Sequence, residues 1–422
     1  MGAPRRSADR KTFAIPAKFL WQGLRMAGVA ALLMAGSPNP AHAIPATVTP
    51  SITVEQAYDS NVFDDSPGNE QEDYILRVRP AVSFAFPAVE TAIKLDLSAE
   101  SATYYNNSGL SKYPSTWNAA LTSLRPLVVS PRVTMTPTGY YLETYDSSQR
   151  TQYLFSPTAP AVPIDITQIT RSHTRDYGGS VNLTYQAAPR VQTTLTGAYN
   201  RHQVITDNTG QSEYYTYNGD LAFSYQLGSR STAGVYGFAQ ETRYSNDAVD
   251  DTYSVGVQGT YAFSQFFTVA GRLGESFLRN KPGNGQPDTT DQSPNGRFSF
   301  NYKKLDFNTT GWVSFGYSAG NTTGQTTQQW NAGLALGDQF LSGWWWGLTG
   351  WYQANRNIDN PTQTDTTAAN GTAEIRYLPV QWATLRLSGT FYREWAQTNT
   401  GNDLIRTSAF LGVTLSKPYS LY

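Results

Sequence analysis

The chain has 422 residues and a formal net charge of −1; it carries no cysteine, and 35 glycines, 27 tyrosines, 10 tryptophans and 19 phenylalanines sit in a composition only 39% hydrophobic. The missing cysteine excludes a disulfide framework and any thiolate metal site, and the balanced charge excludes a general affinity for nucleic acid. So aromatic and yet so polar a chain fits strands that alternate lipid-facing and lumen-facing residues, with aromatics gathered at two membrane interfaces.

At the N-terminus, Arg5, Arg6, Arg10, Lys11, Lys18 and Arg25 precede the apolar run Met26 to Gly36 and the small-residue tripeptide Ala41-His42-Ala43. That order is the charged, apolar, cleavable order of a Sec-type signal peptide, with cleavage expected after Ala43. The apolar run is 11 residues long, short of the roughly 20 needed for a membrane-spanning helix. Arg5-Arg6 lies too far from it to read as a twin-arginine signal. Removal of residues 1–43 takes away six Lys/Arg and one Asp and leaves residues 44–422 with a formal charge of −6.

Residues 52–56 alternate and lead into Ala57-Tyr58-Asp59-Ser60-Asn61-Val62-Phe63, where the first polar loop opens. Asp59, Asn61, Asp64, Asp65, Glu70, Glu72 and Asp73 could together gather a hard cation at an external rim. Their spacing matches no calcium loop, and a solvated acidic loop is the expectation, with no metal site.

From residue 177 onward the two-residue period can be counted. Val181, Leu183 and Tyr185 oppose Asn182, Thr184 and Gln186; Val191, Thr193, Leu195, Gly197 and Tyr199 oppose Gln192, Thr194 and Thr196. The same alternation returns through Tyr253 to Tyr261, Phe267 to Leu273, Phe298 to Tyr302, Gly311 to Tyr317, Leu385 to Phe391 and Ala409 to Leu415. No helical period competes in these windows.

Short turns are expected near Ala88, Ser130, Ala188, Gly228, Gln265, Leu305, Leu341 and Pro379, and from Ala188 onward they recur about every 38 residues. Polar loops lie between them, among them 59–73, 106–114, 146–173, 201–213, 280–295, 321–326, 355–367 and 397–403. Eight short turns and nine long loops predict an all-β, antiparallel up-and-down transmembrane barrel of about 18 strands, or 16 if one hairpin within 90–175 is miscounted. Both termini then face the periplasm. A soluble propeller shares the period but needs four strands in each repeat. Tyrosines beside the turns (Tyr185, Tyr225, Tyr261, Tyr302, Tyr377) mark an interfacial girdle. The run Trp344-Trp345-Trp346 is read as part of it, with a sugar-stacking platform inside the channel as the alternative. The last strand, ending near Lys417 before Pro418, is expected to be read by the barrel assembly machinery, with the final five residues as a periplasmic tail.

The segment Tyr58, Asp59, Asn61, Phe63 resembles the opening signature of the β-barrel porin type 2 family. The resemblance implies an outer-membrane conduit for exopolysaccharide secretion, with a polysaccharide substrate, periplasmic export partners and no cofactor. The alternative is a general or substrate-specific porin for passive diffusion of small solutes. Lumen-lining candidates on the polar phase are Arg77, Arg79, Lys94, Asp96, Glu100, Asp220, Arg272, Arg297, Glu374, Arg376, Arg386 and Arg406. Eight are basic and four acidic, a balance that would favour an anionic cargo, although any of them could simply pair across strands. The loop 146–173, with Pro157, Pro160 and Pro163, could fold inward or pack over the rim. An enzyme is not expected: His173 and His202 have no neighbouring motif that supplies a nucleophile and an orienting group.

Overall fold

A computed structural model describes residues 46–63, 68–87, 92–145, 173–205, 213–282, 287–318, 326–357, 365–396 and 403–421. The signal segment, Ala43, Asp64, Asp65, residues 146–172 and Tyr422 lie outside them. The barrel unit is Pro45–Tyr422.

The strands in chain order are β1 Ala46–Asp59, β2 Asp73–Pro87, β3 Ala92–Tyr104, β4 Lys112–Ser123, β5 Leu127–Ser130, β6 Val133–Thr144 and β7 Thr174–Ala188. They continue as β8 Val191–Val204, β9 Tyr214–Gln226, β10 Ser231–Tyr244, β11 Val249–Ala262, β12 Phe267–Lys281, β13 Thr289–Lys304 and β14 Phe307–Ser318. The last are β15 Thr327–Leu341, β16 Trp344–Asn357, β17 Thr366–Val380, β18 Ala383–Ala396, β19 Leu404–Ser416 and β20 Tyr419–Leu421.

Apart from β4 with β5 and β19 with β20, each strand pairs antiparallel with its neighbour in sequence, and β1 closes the ring by pairing with both β2 and β19. Two of the barrel strands are interrupted. The segments β4 and β5 both pair with β6, at Leu121 to Gly139 and then Leu127 to Met135. Likewise β19 and β20 both pair with β1. Counted as staves, the barrel has 18 strands, and the 16-strand alternative falls away because β3, the β4–β5 stave and β6 fill residues 92–144.

The final residues differ from the expected tail. Tyr419, Ser420 and Leu421 pair with Val48, Thr47 and Ala46, so they continue the closing seam. Pro418 is accommodated because it falls in the gap between β19 and β20, beside Pro50 of β1; there the Lys417 N–H reaches the Pro50 carbonyl at 3.4 Å. A residue without a donor costs a ladder no bond where the ladder is already broken.

Seven of the expected short turns are found within about two residues of their predicted positions, for example 131–132, 189–190, 305–306 and 342–343; the one expected near Ala88 lies outside the described residues. On the opposite end, one of the described connections is tight. Residues 245–248 make a four-residue turn with Asp247 at φ 64° and the Tyr244 N–H on the Ala248 carbonyl at 2.9 Å. The predicted loop 280–295 is also shorter than expected, since β12 runs to Lys281 and β13 starts at Thr289.

Strands of about 14 residues, at ~3.3 Å per residue and ~40° of tilt, rise ~35 Å, enough to cross the hydrocarbon core. Their outward phase is apolar and bare: Val235 is 53% exposed, Val255 59%, Val257 59% and Leu387 53%. Water would not tolerate such a belt around a barrel. Tyrosines border it at both ends, with Tyr185, Tyr225 and Tyr261 near the turns and Tyr177, Tyr199 and Tyr217 in a contiguous row near the loops. Closure leaves no unpaired edge in lipid. The protein is therefore a transmembrane barrel of the bacterial outer membrane.

Candidate functional site in the barrel lumen

Because side chains alternate, the pairing register sorts every strand residue to one face. Glu55 pairs with Arg77, Ser83 with Asp96, Thr196 with Asp220, Gln258 with Arg272, Trp345 with Arg376 and Tyr392 with Arg406. All twelve candidates fall on the phase opposite the bare apolar belt. Eleven of them are gathered into four ion-pair groups and one local pair, and Arg297 stands beside one of the groups with no ion pair of its own.

On the first two strands, Arg77 lies 3.4 Å from Glu55 and 3.7 Å from Glu100, and its guanidinium stands 5.3 Å over the Phe410 ring. Arg79 donates to the same Glu100, with Nε at 2.9 Å. Lys94 and Asp96 pair along β3 at 2.9 Å. At the other side of the wall, Glu374 accepts from both Arg376 and Arg386. Arg406 is held bidentately by Asp59, with Nε 3.0 Å from both carboxylate oxygens, and the two side chains are nearly sealed from water.

The remaining group occupies β9 to β14. Asp220 accepts two bonds from Arg272, at 2.7 and 3.0 Å, and Gln258 accepts another at 3.1 Å. The Arg272 guanidinium stacks on Tyr236 at 3.8 Å. Tyr236 can lie along the wall because Gly256 and Gly274 sit beneath it: a Cβ on Gly256 would come within 2.8 Å of the ring, and one on Gly274 within 2.6 Å of the hydroxyl. The hydroxyl then reaches across to Asn295 at 2.6 Å. Trp312 is seated in the same way on Gly333, and Arg297 stands 5.9 Å over its ring. Aromatic rings laid on glycines are a known device for holding a curved sheet in register.

The described acidic residues of the first loop are each engaged within the protein, and Asp64 and Asp65 lie outside the described residues. Asp59 is committed to Arg406; Asp73 accepts the N–H groups of Tyr105, Asn106 and Asn107 at 3.0, 2.9 and 2.8 Å. Glu72 accepts the Tyr58 hydroxyl at 2.6 Å, and Glu70 the Gly68 N–H. Of the motif residues, Tyr58 thus belongs to the outer girdle beside Tyr74. Asn61 turns the chain on the Asp59 carboxylate and the Ile405 carbonyl, and Phe63 is exposed. Among the described residues no cluster of metal-ligating side chains occurs.

The basic excess read from the sequence does not survive the register. Glu55, Asp59, Asp73, Asp176, Asp250 and Glu394 share the inner phase and cancel it over the whole wall. A local surplus remains in two places, each with two arginines to one carboxylate: Arg272 and Arg297 with Asp220, and Arg376 and Arg386 with Glu374. The tryptophan run also splits. Trp345 faces inward opposite Arg376, while Trp344 stacks on Tyr377 at 4.3 Å in the girdle. His202 has an orienting carboxylate that no local motif could reveal, Asp176 on the next strand at 2.8 Å; the ring is buried.

Exposure along the inner wall is graded. At the loop end inner side chains are sealed: Asp59, Asp176, His202, Thr242, Asp250 and Gln353 are each 4% exposed or less. Toward the turn end the wall opens, with Arg376 55%, Arg386 41% and Lys94 38% exposed at the side chain. Among the described residues, the exposure of inner side chains thus falls from the turn end to the loop end.

No protein-family model and no curated protein matches the chain, so the resemblance in the first loop remains a likeness of a few residues. Solved structures with a similar outline include OccK2 (OpdF) of Pseudomonas aeruginosa in complex with glucuronate, at 12% identity and a TM-score of 0.44 over 89% of this chain and 98% of that one. OpdK of the same organism with vanillate gives 10% and 0.43 over 88% and 99%. OccAB4 of Acinetobacter baumannii gives 12% and 0.44 over 90% and 100%. At these values the likeness decides nothing about what crosses this barrel.

Proposed function

We propose that the protein is an outer-membrane channel for passive diffusion of small polar solutes, with a preference for anions. The sealing of the inner wall on the loop side supports this reading above all. A wall built to pass a polymer is expected to stay water-lined along its whole length, whereas here the described inner-phase groups on most strands are out of contact with water toward one end. The preference for anions rests on the two arginine-rich groups on the more open part of the wall, where a low-dielectric surround concentrates their field. Eighteen strands leave enough cross-section for an aqueous path. The exopolysaccharide export expected from the first-loop motif has no comparable support in the wall.

Liposome swelling with a graded series of solutes separates the two. Vesicles holding the refolded protein are expected to swell with monosaccharide-sized solutes and amino acids, and to stop swelling by the size of a short oligosaccharide. Passage of a long polysaccharide at a rate near that of a monosaccharide would reverse the assignment.

A further inference from the structure

The β12–β13 ladder places two arginines directly opposite one another, Arg272 and Arg297. Like charges at directly paired positions destabilise a sheet. Arg272 is compensated in full: its fork is filled by Asp220 and Gln258, and its face by Tyr236. Arg297 is not. Among the described residues no carboxylate or hydrogen-bond acceptor engages it, its side of the residue is exposed to the lumen, and its one ring contact, to Trp312, is at the outer limit of cation–π range. A local violation of charge economy with no structural compensation marks a position kept for a ligand.

The surroundings say which ligand. Trp312 rests its indole on Gly333, a Cβ there meeting the ring at 2.6 to 2.8 Å, so the ring is laid along the wall and only partly buried. Ser314 is paired with Arg297, Asn331 with Ser314, and Ser299 with Trp312; all share the inner phase and offer hydroxyls and an amide. A free guanidinium fork suits a carboxylate. A flat indole suits the face of a ring.

We propose that Arg297 and Trp312 form a mid-lumen subsite for small anions that carry a carboxylate beside a ring, the ring being aromatic or a pyranose. The proposal deepens the reading of the barrel as a small-solute channel and rests on it for its purpose, though binding itself does not depend on conduction. Arg272 is neutralised by Asp220, so the surplus positive charge at the subsite is that of Arg297, and Arg272 does not have to move.

The test uses the refolded full-length protein in detergent, titrated by tryptophan fluorescence and calorimetry with four probes. Galacturonate and benzoate have both charge and ring, galactose has the ring alone, and acetate has the charge alone. Saturable binding is expected for galacturonate, benzoate or both, with galactose and acetate at least about tenfold weaker, the size of one charge-assisted hydrogen bond. The response of the two binding probes separates a sugar acid from an aromatic acid. Arg297→Gln should weaken the bound probe by about tenfold or more, Arg297→Lys by less, and Trp312→Leu should weaken it while leaving acetate unchanged. Each variant is first shown to keep the heat-modifiable gel mobility of a folded barrel. Equal affinity of Arg297→Gln and the unaltered protein, or acetate binding as well as the ring acids, would overturn the subsite. Binding without any channel activity would uphold the subsite and remove the channel reading; channel activity with no probe bound would do the opposite.

Discussion

Asp59→Ala is expected to destabilise the barrel by about 3–5 kcal/mol, the cost of removing one partner from a buried ion pair. Asp59 is 2% exposed and Arg406 6%, and their bidentate contact joins β1 to β19 across the seam that closes the ring. The loss reaches further than the pair, because the same carboxylate accepts the Asn61 N–H at 3.1 Å and so turns the chain into the first loop. Substituting both partners, Asp59→Val with Arg406→Met, removes the stranded charge and should recover most of the loss. Urea unfolding in detergent or lipid, followed by heat-modifiable mobility, gives both values. Equal stability of Asp59→Ala and the unaltered protein would mean the seam is held by its backbone ladder alone.

The second large effect falls on the inner aromatic cradle. A Cβ on Gly256 would lie 2.2 Å from the Leu273 carbonyl oxygen and 2.6 Å from the Gly274 Cα, as well as 2.8 Å from the Tyr236 ring. Two of those three neighbours are backbone of the adjacent strand, and they can yield only if the β11–β12 ladder opens. Gly256→Ala should therefore cost about 3 kcal/mol, at the upper end for overpacking, and should displace Tyr236 from Arg272. Gly237→Ala is the control, since nothing lies within 4 Å of its Cβ; it should change stability by less than about 1 kcal/mol. Unfolding curves of the two variants side by side check the contrast, and a similar small effect for both would mean the ring is not seated on the glycine as described.

Much of this barrel is legible in the chain because its face pattern is local. The alternation in Val191 to Tyr199 or Tyr253 to Tyr261 needs only the next residue but one to be read. The turns announce themselves through pairs such as Pro189-Arg190. Where local signals fail, the structure departs from expectation. Asp247 takes the left-handed conformation of a tight turn without a glycine to advertise it. Pro418 reads as a strand end until its place in the break opposite Pro50 is known. The ladder is interrupted between Ser123 and Leu127, so one stave is made of two segments.

The lumen was legible only as a phase. That Arg77, Arg272 or Arg386 shares a face follows from alternation, but its partner does not. Arg406 meets Asp59 across 347 positions of sequence, and Asp220 meets Arg272 by spanning two intervening strands. The apparent basic excess comes from the loop-side half of the strands: Asp59 and Asp73 read as acids of the first loop, and only the register sets Glu55, Asp176, Asp250 and Glu394 on the inner phase beside them. Tyr236 and Trp312 escaped notice for the same reason: what makes each an inner-wall plate is a glycine on a neighbouring strand, and only the register brings the two together.

Single-channel recording in planar lipid bilayers, under a potassium chloride gradient, tests the central claim most directly. The refolded protein is expected to give discrete current steps whose reversal potential lies toward the chloride equilibrium potential. Protein with the mobility of a folded barrel that gives no steps, or that gives steps reversing toward potassium, would contradict it.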